Sequence, residues 1–125
     1  MEKTILIVDD SATVRVAVKM ALKSEYEIIE GKNGKDALAV AERHFAEGKR
    51  INLIITDINM PIMGGIEFIK EIKQNRNAKF TPILVLTTES QDSMKMEGKK
   101  AGATGWLVKP FKPEQLQGIV KKVIK

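Results

Sequence analysis

Four short apolar runs in this chain end in residues able to do chemistry. Thr4 to Val8 runs into Asp9-Asp10, Leu53 to Thr56 into Asp57, Ile83 to Leu86 into Thr87-Thr88, and Gly105 to Val108 into Lys109. Taken singly each has an ordinary reading: Asp10 or Ser11 as a helix cap, Asp57 as a turn residue, Thr87 as a strand residue, Lys109 as a solvated base. Together they are harder to dismiss, because three carboxylates packed together raise one another's pKa unless a cation neutralises them. Hard oxygen donors imply Mg²⁺. A carboxylate beside Mg²⁺, flanked by a hydroxyl and an ammonium, suits an incoming phosphoryl group: the carboxylate attacks phosphorus while the metal, threonine and lysine neutralise its oxygens. The product of such a site is an aspartyl phosphate.

Bringing those residues to one place is the task of the elements between them. After Asp9-Asp10-Ser11, the residues Val14, Ala17, Val18, Ala21 and Leu22 recur at helical spacing. Tyr26 to Glu30 reads as a second strand, Gly31 to Gly34 as a turn, and Ala37, Leu38, Ala41 and Phe45 as the stripe of a second helix ending near Gly48. Gly65, Phe68, Ile69 and Ile72 mark a third helix; residues 93–101 mark a weak fourth, with only Met94, Gly98 and Ala101 facing inward. Pro113 opens a last helix carrying Leu116, Ile119, Val120, Val123 and Ile124. Five strands alternating with five helices, the best strands almost wholly apolar, predict an α/β doubly wound fold with both faces of a parallel sheet covered. In such a sheet the functional crevice lies beyond the carboxyl ends of the strands, where the residues named above stand.

Composition narrows the function further. At 125 residues, 43% hydrophobic and 30% charged, the chain predicts one globular domain spanning 1–125. No cysteine and a single histidine remove disulfides, thiol catalysis and histidine-based metal sites. No apolar run approaches the length of a membrane span and no signal-peptide core opens the chain, so the expectation is a cytoplasmic protein without a membrane partner. The net charge of +5 is unevenly placed: from Ser93 onward eight lysines face two glutamates, while residues 1–92 hold 13 basic and 14 acidic groups. That balance, and the lack of a helix-turn-helix segment, argues against nucleic acid as a partner.

The set Asp9-Asp10, Asp57-x-x-Met60-Pro61-x-Met63-x-Gly65, Thr87 and Lys109-Pro110-Phe111 resembles the receiver domain of two-component response regulators over essentially the whole chain. Within that family the stretches Thr87 to Gln91 and Gly102 to Phe111 are most similar to free-standing chemotaxis receivers. The resemblance implies a flavodoxin-like (βα)₅ fold with strand order 2-1-3-4-5. It implies that Asp57 is the phosphoacceptor, that Asp10 and Asp57 ligate Mg²⁺ directly, that Asp9 acts through metal-bound water, and that the backbone carbonyl of Asn59 completes the site. Lys109 would pair with phosphoryl oxygens, and its bond to Pro110 would be cis. Thr87 would move inward to the phosphoryl group and residue 106 would follow. The family usually has Tyr or Phe at that switch position, whereas this chain has Trp106. Asn59 and Glu89 match positions that flank the path of the hydrolytic water; a small polar Asn59 implies a short-lived phosphoryl group.

The function so implied is a phosphorylation-controlled binding module and not an enzyme, apart from self-phosphorylation and self-dephosphorylation. A sensor histidine kinase would supply the phosphoryl group, and the monomeric chain would bind the flagellar motor switch, with a phosphatase as a further candidate partner. A phosphorelay intermediate or phosphate sink is the alternative. A Mg²⁺-dependent aspartyl phosphohydrolase is disfavoured, since such enzymes carry a second acid where Asn59 stands and a cap domain for which no residues remain. A flavodoxin is disfavoured because Asp9-Asp10 would repel the cofactor phosphate. The output surface is expected on the fourth helix, fifth strand and fifth helix. His44 reads as a solvated surface residue, the methionines 60, 63, 94 and 96 as core and loop filler, and Gly64-Gly65 as a turn needing positive φ.

Overall fold

The computed structural model describes residues 2–125. Its elements follow in strict alternation: β1 (Lys3–Val8), α1 (Ala12–Leu22), β2 (Tyr26–Gly31), α2 (Gly34–Ala46), β3 (Leu53–Thr56), α3 (Gly65–Lys73), β4 (Ile83–Thr87), α4 (Asp92–Ala101), β5 (Gly105–Val108) and α5 (Pro113–Val123), with a 3₁₀ turn at Arg76–Ala78 before β4. All strand pairings are parallel and the order is β2-β1-β3-β4-β5, as the resemblance implied.

Because side chains alternate along a strand, each apolar run feeds two cores. Ile5, Ile7, Leu53, Ile55, Leu84 and Leu86 pack with Val18, Leu22, Leu116 and Val120 against α1 and α5. Leu6, Val8, Ile54, Ile83 and Val85 pack with Ala37, Ala41, Phe68, Ile69 and Ile72 against α2 and α3. The continuous apolar runs are therefore required, since in the three central strands only Lys3, at the start of β1, faces water. Helix starts are set locally: the Ser11 hydroxyl accepts from the Val14 N–H at 3.2 Å, and the Asn33 side chain from the Asp36 N–H at 2.8 Å.

Three local expectations change. Gly31 is strand rather than turn, pairing with Val8; a Cβ there would lie 2.7 Å from Ala37, so glycine lets α2 approach β2. Gly64 has φ −74°, and only Gly48 and Gly102 among the glycines have positive φ. Gly65 answers to close approach instead: a Cβ would sit 2.1 Å from the Asp57 carbonyl oxygen. His44 is buried, not solvated, with 8% of its surface exposed, and its Nε2 lies 3.2 Å from the Arg50 carbonyl. It stands three residues beyond Ala41 and seven beyond Ala37, on the same inward stripe.

Candidate functional site at the carboxyl edge of the sheet

The ends of β1, β3, β4 and β5 deliver Asp9, Asp57, Thr87 and Lys109 to one edge. Asp9, Asp57 and Thr87 are buried, Lys109 is half-buried and Asp10 is exposed. The Lys109 ammonium lies 2.9 Å from Asp9 Oδ2 and 3.2 Å from Asp57 Oδ2, bridging residues 100 and 52 positions away in the chain. Carboxylate oxygens of Asp9, Asp10 and Asp57 lie within 4.8 Å of one another. The Lys109-Pro110 bond is cis.

The two carboxylates that Lys109 bridges are each oriented by a second contact. Asp9 Oδ1 accepts from the Ser11 N–H at 2.9 Å, and the Arg15 guanidinium donates to the Asp9 carbonyl at 2.7 Å. Asp57 Oδ1 accepts from the Ile58 N–H at 2.6 Å. Burial pushes the Asp9 carboxyl up, outweighing the Ser11 N–H and the Lys109 ammonium that favour its charged form. Burial alone would lower the Lys109 ammonium, but Asp9 and Asp57 together hold it above the ordinary lysine value. Three carboxylates against one ammonium leave the edge negative, and their clustered hard oxygens fit a small divalent cation. Asn59 lies exposed in the loop beyond Asp57. That loop turns sharply at Ile62, where the Met63 N–H reaches the Pro61 carbonyl at 2.7 Å across a positive φ of 70°.

Thr87 and Trp106 meet through a residue whose backbone the sequence reading left out. The Glu89 N–H donates to Thr87 Oγ1 at 3.3 Å, and the Trp106 Nε1–H donates to the Glu89 carbonyl at 2.9 Å. The Glu89 carboxylate accepts from the Gln91 N–H at 3.2 Å, within its own loop. The indole also lies on α4, where a Cβ added at Gly98 would come 2.7 Å from Trp106 Cζ3. A glycine inside a helix was the available signal for that contact, since it costs stability unless something needs the space.

A parallel 2-1-3-4-5 sheet with an acidic cluster and a lysine at its carboxyl edge is the arrangement of phosphoacceptor receivers. The profile of the response regulator receiver domain matches residues 5–121, and the chain belongs to that family. Such domains generally bind Mg²⁺ at an acidic pocket and act with sensor histidine kinases. Two crystal structures of the chemotaxis response regulator CheY4 of Vibrio cholerae are 44% identical over 98% of this chain and 99% of theirs, with TM-scores of 0.91 and 0.89. Among curated sequences, the phosphate regulon transcriptional regulatory protein PhoB of Pseudomonas aeruginosa is 34% identical over 98% of this chain, and Histidine kinase P4 of Formosa agariphila is 36% identical over 98%. The chain spans 52% of the former and 9% of the latter. Among the described residues no helix is long and apolar enough to cross a membrane.

Proposed function

We propose that residues 1–125 act as one receiver domain in which Asp57 takes a phosphoryl group from a kinase phosphohistidine and the altered surface then binds a chemotaxis target, the flagellar motor switch. The observation that carries the phosphotransfer reading is the Lys109 ammonium shared between buried Asp9 and buried Asp57, with Asp10 alongside. In the transfer an Asp57 oxygen bonds to phosphorus as the nitrogen–phosphorus bond of the donor breaks, and the electron pair leaves with the imidazole. Lys109 moves its hydrogen bonds from carboxylate to phosphoryl oxygens, offsetting the charge that arrives. Asp10, Asp57 and the Asn59 carbonyl would hold Mg²⁺, with Asp9 acting through a bridging water, and the ion would supply the remaining positive charge. The Thr87 hydroxyl, once drawn to the phosphoryl group, gives up the Glu89 N–H; Trp106, tied to the Glu89 carbonyl, follows.

The chemotaxis reading is supported by the full-length match to CheY4, and the lysines of α4 and α5 suit acidic target segments by steering their approach. Treatment with a small phosphodonor followed by mass spectrometry should add one labile phosphoryl group, lost in Asp57→Asn and in EDTA. A labile group retained in Asp57→Asn refutes the acceptor assignment. Capture of the flagellar switch protein should increase with a beryllofluoride mimic; equal capture without it refutes the output reading. A phosphoryl half-life of hours without added phosphatase would contradict the role given to Asn59 and Glu89.

A further inference from the structure

The opposite, amino-terminal edge of the sheet carries a second concave site that phosphotransfer does not use. The segments entering β3 and β4 enclose a pocket of about 180 Å³ lined by Arg50, Arg76, Asn77, Phe80, Thr81 and Lys125, among others. Among the described residues, neither guanidinium forms an ion pair with a carboxylate. Phe80 is 82% exposed, the most exposed large hydrophobic side chain among the described residues, and the Lys79 ammonium stands 5.5 Å from its ring centre.

Two side chains that the phosphotransfer site leaves idle, buried His44 and half-buried Lys73, hold the walls of this pocket. His44 lies against the Arg50 carbonyl, and the Thr81 hydroxyl donates to the neighbouring Ile51 carbonyl at 3.3 Å. The Lys73 ammonium, which burial lowers from its ordinary pKa, donates to the carbonyls of Ala78, Lys79 and Thr81. Asn75 fixes the turn itself by accepting from the Asn77 N–H at 2.9 Å. The backbone under both arginines and the phenylalanine is thus set before any ligand arrives, which lowers the entropic cost of binding.

We propose that this pocket docks an acidic peptide segment of a partner protein, with carboxylates on Arg50 and Arg76 and an adjoining apolar side chain on Phe80. Guanidinium forks match carboxylates in pairs, and an exposed aromatic beside them supplies the apolar anchor common in peptide interfaces. An extended polyanion such as nucleic acid fits less well, because the basic surface is short: Glu2 and Glu27 line the adjoining cleft and Glu47 already pairs with Lys49 at 3.1 Å. From Ile51 through β3 to Asp57 the chain advances six residues, roughly 20 Å at strand rise. A peptide held here leaves Asp57 open, so docking is independent of phosphorylation and serves to keep a partner close.

The test is fluorescence anisotropy at low salt with a labelled short peptide of glutamates and aspartates around one leucine, on the full chain. Arg50→Ser with Arg76→Ser should weaken binding about tenfold or more, Phe80→Ser about threefold or more, and Lys99→Ser with Lys122→Ser much less than either. Amide chemical shifts should move at residues 50–52 and 76–81, and a beryllofluoride mimic should leave the affinity unchanged. The proposal is overturned if the double arginine variant binds as tightly as the parent, if the shifts map to residues 95–112, or if oligothymidylate binds the same residues more tightly than the peptide. Circular dichroism of each variant separates lost docking from lost fold; if the double arginine variant unfolds, Arg50→Lys and Arg76→Lys decide, since charge alone should not restore paired recognition.

Discussion

Helices α3 and α4 follow one another on the same face of the sheet, yet they are anchored differently. Over nine residues α3 buries Gly65, Phe68, Ile69 and Ile72, whereas α4 buries only Gly98 over ten, with Met94 and Ala101 half-covered. The first begins directly beneath Asp57, where the Gly65 N–H meets the Ile58 carbonyl at 2.8 Å. The second rests on the Trp106 indole. A helix with little buried apolar area has little to lose by shifting, so under the proposed function the pair would divide into a fixed floor beneath Asp57 and a movable reporter. The weak apolar pattern of residues 93–101 is thus a property the switch reading uses.

The largest effect should come from breaking the floor. Phe68→Ala removes a fully buried ring and is expected to cost about 3–5 kcal/mol, measured by urea unfolding. A loss below about 1 kcal/mol would mean that α3 is not the anchor described here.

Gly98→Ala acts on the reporter. Overpacking against the indole costs about 1–3 kcal/mol, offset by about 1 kcal/mol of helix propensity, so the net loss in stability should be at most about 2 kcal/mol. Its clearer signature is spectroscopic, because the indole must move: Trp106 emission should shift while phosphorylation of Asp57 by a small donor proceeds. Unchanged emission would remove Gly98 from the account.

Trp106→Phe keeps most of the ring but deletes the donor to the Glu89 carbonyl, a loss of about 1 kcal/mol. Amide exchange in residues 88–91 should quicken, with α3 unaffected. The same measurement on the parent chain sharpens the contrast without any substitution: α4 amides should exchange faster than those of α3. Equal protection of the two helices would contradict the division between floor and reporter.

Much of the site was legible in one dimension. Near-continuous apolar runs make strands of Ile5 to Val8, Leu53 to Thr56 and Ile83 to Thr87, and a parallel sheet places whatever follows them on one edge, so the sequence alone gathers Asp9, Asp57, Thr87 and Lys109. Their roles came from resemblance, and the geometry brings them together without testing those roles. His44 was misread although its spacing from Ala37 and Ala41 placed it on the inward stripe; its polarity outweighed its position, and only the Arg50 carbonyl shows how a histidine can be satisfied there. Gly65 was read as a turn residue because sequence offers no measure of how near two backbones come.

Element type, element order and the identity of the chemical groups at the strand ends followed from local pattern, because burial on two faces and helical periodicity act between residues a few positions apart. The Glu89 peptide joining Thr87 to Trp106, the indole resting on Gly98, and the pairing of Arg50 with Arg76 around one pocket were decided only when the chain closed on itself. Those contacts depend on how far apart the packed elements stand and which way each side chain points. Such distances are set by the sum of all packing in the core, and no stretch of residues carries them alone.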